Sequence, residues 1–417
     1  MVNFSFSLLA CLLIPGIVSY VLRIHRFFPA VFMQLIFGVL LASINLYSHI
    51  ALNFLPPVFN DSAVLSTLEN LGWFGIAIVI AFSSSEATQH SKTSGDKRFA
   101  VISVVGFFCT FLVNLLINHL LISHYPLLLG AIGDKTLFAV TVALGLSVTA
   151  VPVLIVTVKS LGIDKKISNV AVGAALLDDL WLWLGLAVSM FYLPSNNNHP
   201  MQIAAWLAFF LLVMFSVVKP VLAKLAQQNL NKNQSMLLVV AVIFGSALVS
   251  NGIGLHGVFG VFIAGAVLPV RILNTARPHF EEIANVVFVP LFFVLSGMKI
   301  KLNFYDHTFW QFLIIFTLIA IMGKFAVVSF VSKRLGFTWR ESLTLGGLMQ
   351  CKGLMELIVA NVLLTAGIIS PLMFSILSIL AVVSTIITMP FMRVLGIRPV
   401  CEPHPEHIAP VTSALSR

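Results

Sequence analysis

The chain has 417 residues, of which 59% are hydrophobic and 9% are charged, and its formal net charge is +9. Soluble domains carry about 25% charged residues, so this composition, with a mean hydropathy of +1.03, excludes a soluble fold. The basic residues lie between apolar segments rather than in one patch, which argues against a nucleic-acid partner.

Apolar segments recur along the whole chain, and each is long enough to cross about 30 Å of hydrocarbon as a helix. They lack the period-2 alternation of membrane β-strands, so helices must satisfy the backbone polar groups in lipid. We therefore predict an all-α polytopic membrane protein with about 13 transmembrane spans. These spans lie at residues 4–22, 29–48, 66–86, 98–121, 136–158, 167–192, 201–224, 234–250, 255–270, 283–299, 307–332, 341–364 and 370–394.

The basic residues are distributed unequally between alternate loops. Only three lie in the even-numbered loops, namely Lys135, Lys299 and Lys301. The odd-numbered loops and the tail hold 19: Arg23, Arg26, Lys92, Lys97, Arg98, Lys159, Lys165, Lys166, Lys219, Lys224, Lys232, Arg271, Arg277, Lys333, Arg334, Arg340, Arg393, Arg398 and Arg417. By the positive-inside rule, the odd-numbered loops are cytoplasmic. This orientation places the N-terminus outside and the C-terminus in the cytoplasm.

The fifth span contains a proline and two hydroxyl side chains that favour a break in the helix. Pro152 lacks a backbone N–H and clashes with the preceding turn. Ser147 and Thr149 can bond the freed backbone groups or offer oxygen ligands to a hard cation. We therefore predict an interrupted helix near these three residues.

The sixth span carries two adjacent carboxylates deep in its apolar sequence. Asp178 and Asp179 lie 12 or 13 residues beyond Lys166, which is roughly 18 Å of helix. A charged side chain at that depth indicates function by default. Two adjacent carboxylates cannot both be ionised there without a partner, and either a proton or a metal cation can neutralise one. Asp178 and Asp179 are therefore the candidate ligands of a transported cation such as Na⁺.

Three further charged residues lie within the last spans. Lys324 is too deep for its ammonium to reach water easily, and its natural partner is Asp178 or Asp179. Lys352 and Glu356 are four residues apart on one helix face, where they could neutralise each other. The glycines around them, including Gly353, favour a second broken helix, whose exposed carbonyls would also need charge compensation.

At these residues the chain resembles the monovalent cation/proton antiporter superfamily, the sodium/proton exchangers that include the NapA-type and KefB/KefC-type proteins. The resemblance extends over about residues 5–395 and is carried by SVTAVPVLIVTVKSLGI (147–163), GAALLDDLWL (173–182) and KGLMELIVANVLL (352–364). It implies an inverted repeat in which the broken fifth and twelfth helices cross.

The resemblance also implies a role for each site residue. Asp179 would be the main carboxylate for cation and proton, and Asp178 would pair with Lys324. Thr149 would lie beside them at the break of the fifth helix. Members with two aspartates and this lysine tend to exchange electrogenically. Trp181 and Trp183, which follow the aspartates, are expected to face lipid.

The resemblance further implies a division of the chain into domains that assemble as a homodimer. A dimerisation domain would comprise residues 1–95 and 233–302, and a mobile core would comprise 96–195 and 303–395. Residues 196–232 would form a linker helix, and 396–417 a cytoplasmic tail.

The function that we expect is secondary antiport of Na⁺ or Li⁺ against H⁺ by alternating access, in the inner membrane of a bacterium. The sequence has no nucleotide-binding motif and suggests no cofactor, so an ion gradient would supply the energy and the protein would not be an enzyme. K⁺/H⁺ exchange is the first alternative. A non-transporting sensor and a sodium-coupled carrier of an organic solute are the others.

Overall fold

The computed structural model describes residues 2–21, 30–51, 62–93, 97–192, 200–228, 231–301 and 307–395. The predicted tail at 396–417 lies outside these residues. The described chain is nearly all helical. Its helices are α1 (Val2–Val21), α2 (Ala30–Ala51), α3 (Ser62–Thr93), α4 (Arg98–His124), α5 (Lys135–Ser147), α6 (Val151–Leu161), α7 (Lys165–Met190), α8 (Pro200–Val213), α9 (Lys219–Gln227), α10 (Lys232–Gly252), α11 (Gly257–Val267), α12 (Val270–Ile283), α13 (Val289–Met298), α14 (His307–Arg334), α15 (Trp339–Met349), α16 (Leu354–Thr365) and α17 (Pro371–Val394).

Nine helices of the described residues are long and apolar enough to cross a membrane. In two of them a single π-helical turn joins neighbouring segments, at Met214–Val218 between α8 and α9 and at Ala284–Phe288 between α12 and α13. The all-α membrane fold is therefore confirmed, whereas the count of 13 spans stays a prediction. The predicted fifth span is two short helices, α5 and α6, and the twelfth is α15 and α16.

The helices pack in two groups. The flanking group, as we call it, contains α1–α3 and α10–α13, with α2 against α13 and α3 against both α11 and α13. The crossing group contains α4–α7 and α14–α17, with α4 packed on α5, α7 and α14. Helices α3 and α11 contact α7 across the boundary between the groups. The assignment of a mobile core and a dimerisation domain to parts of this assembly stays a prediction.

The two broken helices of the crossing group run in opposite directions. We call the side where Lys159, Lys165 and Lys333 lie the basic face, and the other side the opposite face. Helix α5 descends from the opposite face and ends at Ser147, whereas α15 rises from the basic face and ends at Met349. The loops at the opposite face are tied together by an antiparallel bridge between Leu129 and Ile369.

Glycines bring α2 and α13 of the flanking group into close contact. A Cβ atom on Gly38 would collide with the carbonyl oxygen of Val294, and one on Gly297 with that of Leu35. Small residues allow such backbone approach in membrane helices, where association depends on van der Waals packing. This crossing therefore fixes the distance between α2 and α13.

We expect Gly38→Ala to lower the free energy of unfolding by about 1–3 kcal/mol, because the added methyl group meets backbone that cannot rotate away. Thermal unfolding of the purified protein in detergent measures the effect. Gly245→Ala on α10 is the matched control, since no heavy atom lies within 4 Å of its added Cβ. Equal melting temperatures for the two variants would contradict the assigned crossing.

Candidate functional site

The break between α5 and α6 covers Val148, Thr149 and Ala150, which have left the helical conformation. Pro152 lies at the start of α6, where a missing N–H costs no helical hydrogen bond. The proline thus begins the second half of the helix, and the break lies just before it.

The break between α15 and α16 covers residues 350–353 and lies directly against the first break. Ala150 N donates to Cys351 O at 2.9 Å, and Thr149 Oγ1 donates to Met349 O at 2.6 Å. A Cβ on Gly353 would lie 2.8 Å from Val153 Cγ2, so this glycine permits the close approach. The two interrupted helices therefore cross, and each satisfies backbone groups that the other exposes.

Two buried lysines neutralise the carboxyl end of α5. Lys324 Nζ donates to Ser147 O at 2.6 Å. Lys352 Nζ donates to Val148 O at 2.8 Å and also to Leu146 O. Because the carbonyl end of a helix carries partial negative charge, both ammonium groups stabilise the break.

Asp178 is fully buried and held by partners from three sides. Lys324 Nζ lies 2.7 Å from its Oδ2, which Thr149 Oγ1 also reaches at 3.0 Å. Ser103 Oγ donates to the other oxygen, Oδ1, at 2.8 Å. All these partners belong to the crossing group, so this group by itself satisfies the Asp178 carboxylate.

Asp179 is as deeply buried but has far fewer partners. Ser83 Oγ on α3 donates to its Oδ2 at 3.2 Å. Its Oδ1 has no hydrogen-bond partner among the described residues. Buried carboxylate oxygens usually accept a hydrogen bond, so the Asp179 carboxylate is a candidate site for binding a proton or a cation.

Lys352 and Glu356 do not pair with each other in the part of the chain that the structure describes. The Lys352 ammonium donates to carbonyls at the end of α5. Among the described residues, both carboxylate oxygens of Glu356 lack a hydrogen-bond partner. Glu356 lies in the first turn of α16, where the helix dipole favours a negative charge. Of the two interpretations of Lys352, the structure therefore favours compensation of the broken helix.

A cavity of about 270 Å³ separates the two groups on the side of the basic face. Its walls come from α3, α6, α12 and α16, and Ser83 lies on its surface. Glu86 and Glu281 also line it, and Arg277 is ion-paired with both. Ser83 connects this cavity to Asp179.

On the other side of the site, polar contacts close the boundary between the groups. Asn361 Nδ2 of α16 donates to Ser296 Oγ of α13 at 2.9 Å, and both side chains are buried. Lys299 Nζ lies 3.4 Å from Asn361 Oδ1 and 2.5 Å from Glu69 Oε1. At the boundary between the two groups, the described structure therefore has a cavity toward the basic face and, toward the opposite face, the Asn361–Ser296 contact, which we call the clasp.

One expectation about the aromatic residues was wrong. Trp183 does not face lipid: it is 2% exposed, and its ring lies 6.5 Å from that of Phe262 on α11. Trp181 is half-buried against Phe108. Because α3 and α11 cover this side of α7, Trp183 packs at the boundary between the groups.

Ser83 and Ser103, the two serines that contact the aspartates, were not predicted from the sequence. Serine is common in membrane helices, where its hydroxyl often bonds a carbonyl of its own helix. No feature of the sequence separates these two from the others. Only the packing of α3 and α4 against α7 brings them to the carboxylates.

Together the fold and the site define a multi-pass membrane protein with charged groups at the crossing of two broken helices. Residues 8–394 match the family model "Sodium/hydrogen exchanger, transmembrane", and the chain belongs to this family. Its members are transporters and not enzymes, as the sequence predicted.

Several proteins are similar over much of the chain. The K(+)/H(+) antiporter 1 of Saccharomyces cerevisiae is 28% identical over 87% of this chain and 43% of its own length. The Na(+)/H(+) antiporter NhaS4 of Synechocystis is 29% identical over 61% of this chain and 64% of its own. The chain thus spans less than two thirds of these relatives. The sodium proton antiporter MjNhaP1 of Methanocaldococcus jannaschii has the same fold, with a TM-score of 0.61 at 15% identity over 94% of this chain and 96% of its own.

The buried Asp178–Lys324 pair should be strongly coupled. Lys324→Gln leaves the Asp178 carboxylate buried without its partner, which costs about 3–5 kcal/mol. Adding Asp178→Asn should restore much of the lost stability. Thermal unfolding of the single and double variants gives the coupling free energy.

The half-exposed pair Glu69–Lys299 serves as the control, because exposed pairs contribute about 0–1 kcal/mol. A coupling free energy for Asp178–Lys324 no larger than that of the control pair would contradict the assigned contact.

Proposed function

We propose that this protein exchanges Na⁺ or Li⁺ for H⁺ across a membrane, with Asp179 as the carboxylate that binds either ion. The observation that carries the proposal is the Asp179 side chain, which is buried and is reached from a cavity through Ser83. One of its oxygens has no hydrogen-bond partner in the described part of the chain. A proton or a cation satisfies that oxygen, and one carboxylate cannot hold both well. Competition at a single site is the simplest basis for exchange.

Asp178, Lys324 and Thr149 prepare the site for this competition. Lys324 holds Asp178 in place and neutralises it, so Asp179 carries the charge that a transported ion must balance. Thr149 contacts Asp178 and Met349 O, and its oxygen is a further ligand for a hard cation. Ser147, Pro152 and Gly353 shape the two breaks that bring these groups together.

Alternating access follows from the asymmetry of the boundary between the two groups. The cavity toward the basic face admits ions to Asp179, while the Asn361–Ser296 clasp closes the opposite face. Movement of the crossing group along the flanking group would open the clasp and close the cavity. In this proposal residues 96–195 and 303–395 form the mobile core, while 1–95 and 233–302 form the part that dimerises with a second copy.

K⁺/H⁺ exchange is the second candidate, because similar proteins are named for it. The yeast relative is named a K(+)/H(+) antiporter. GerN of Bacillus cereus, which is 29% identical over 61% of this chain and 67% of its own length, is named a Na(+)/H(+)-K(+) antiporter. Carboxylate and hydroxyl oxygens bind either cation, so the transport experiment ranks the ions.

The test is proton flux in membrane vesicles that hold a pH gradient. Addition of Na⁺ or Li⁺ should dissipate the gradient with the wild-type protein, and Asp179→Asn should lose at least 90% of that flux because the amide carries no charge to exchange. Glu282→Gln, an exposed carboxyl-to-amide change on α12, is the control and should behave as wild type.

Three other outcomes of this experiment are informative. A faster response to K⁺ than to Na⁺ would favour the second candidate. Full flux in a folded Asp179→Asn protein would contradict the assigned carboxylate. Absence of flux with every cation in folded wild-type protein would overturn antiport and leave the sensor or the organic-solute carrier.

We further propose that the membrane is the inner membrane of a bacterium, with the basic face in the cytoplasm and the N-terminus outside. The unequal loop charges support this orientation. Green fluorescent protein fused after Arg417 should fluoresce, whereas alkaline phosphatase at the same position should be inactive. The same two fusions within the loop at 126–134 should give the reverse result, and an unreversed pattern would contradict the topology.

A further inference from the structure

We propose that Ser83 is a ligand of the transported cation only while Asp179 faces the cavity on the basic face, and that Ser83 sets the cation affinity on that side. This inference rests on the proposed antiport and adds to it a residue from the flanking group. The observation behind it is the Ser83–Asp179 hydrogen bond, which crosses the boundary between the groups.

The two aspartates differ in where their partners come from. Asp178 is bonded by Ser103, Thr149 and Lys324, all within the crossing group. Among the described residues Asp179 has one hydrogen-bond partner, Ser83, which belongs to α3 of the flanking group. Any relative movement of the groups therefore leaves the surroundings of Asp178 intact and separates Asp179 from Ser83.

The geometry of this bond suits an exchangeable ligand. The Oγ–Oδ2 distance of 3.2 Å exceeds the usual range of about 2.5–3.0 Å for hydroxyl donors, so the bond is weak. A hydroxyl has two acceptor lone pairs as well as its proton. When a cation replaces the proton of Asp179, the Ser83 hydroxyl can rotate and present oxygen to the cation.

The position of Ser83 along the cavity supports the same role. Glu86 lies one helical turn from Ser83 on α3, and both line the cavity. Arg277 bridges Glu86 and Glu281, so two carboxylates and one guanidinium leave one negative charge there. Oxygen ligands thus continue from the cavity wall to Asp179, and Ser83 is the last of them.

The consequence is a cation affinity that differs between the two sides. A cation on Asp179 has the Ser83 oxygen as a ligand when it comes from the basic face. After the groups move, the cation loses that oxygen, so affinity on the opposite face should not depend on Ser83. The same displacement that changes access therefore also changes affinity.

The experiment measures the cation concentration for half-maximal proton flux on each side, using everted and right-side-out vesicles of known orientation. Ser83→Ala should raise this concentration about tenfold for cation added on the basic face, a change of about 1.4 kcal/mol. It should change less than twofold on the opposite face. Ser83→Thr, which keeps the hydroxyl, should remain close to wild type.

Ser84→Ala is the matched control. It removes the neighbouring hydroxyl, which bonds Phe262 O within the flanking group at 2.6 Å, and it should leave both half-maximal concentrations unchanged. Thermal unfolding of each variant shows that the protein remains folded.

Equal effects of Ser83→Ala on both sides, or no effect, would overturn the inference. A lower maximal flux with unchanged half-maximal concentrations would do so as well, because it would assign Ser83 to stabilising one conformation. In each of these results the wild-type protein still exchanges cations for protons. Failure of the proposed function differs, since wild type itself would then show no cation-dependent flux.

Discussion

The structure depends on how backbone groups are satisfied where two helices stop inside a membrane. A helix that ends there exposes carbonyls that water cannot reach, and each unsatisfied group costs several kcal/mol. Lys324 and Lys352 donate to the last carbonyls of α5, and the second break supplies Cys351 O and Met349 O to Ala150 and Thr149. Once a lysine is needed at this depth, a carboxylate must balance it, and Asp178 does so. The charged site is therefore part of what makes the crossing possible.

The two adjacent aspartates consequently have different environments on one helix. Successive residues on a helix point about 100° apart, so Asp178 faces α4 and α14 within the crossing group while Asp179 faces α3 of the flanking group. The first direction supplies the Lys324 ammonium and the Ser103 hydroxyl as donors, with the Thr149 hydroxyl nearby, and the second supplies one hydroxyl and a cavity. Side-chain direction alone thus gives one carboxylate a structural partner and leaves the other open to exchange.

Charged side chains and interrupted helices are energetically costly inside a membrane. For that reason both aspartates, Lys324 and the two breaks could be predicted from the sequence. A charge or an interrupted helix in an apolar span has few explanations. Uncharged polar residues such as Ser83 and Ser103 cost little free energy in a membrane helix, so they could not be predicted in this way. Trp183 was misjudged because an apolar residue on a membrane helix suits lipid and protein equally, and only the packing of α11 decides between them. The choice between two roles for Lys352 likewise required the position of the α5 carbonyls.

The charges at the crossing suggest how many ions the site can hold. Asp178, Asp179 and Glu356 can carry three negative charges, and Lys324 and Lys352 carry two positive ones, all of them buried. One negative charge then remains, which one proton or one monovalent cation neutralises. A second proton requires a second carboxylate, either Glu356, whose oxygens have no hydrogen-bond partner among the described residues, or Asp178 once Lys324 gives up its bond to Oδ2. Lys324 would still have Ser147 O and the face of Phe107, whose ring centroid is 5.6 Å away. Protonation of Asp178 therefore depends on breaking this pair, whereas protonation of Glu356 does not.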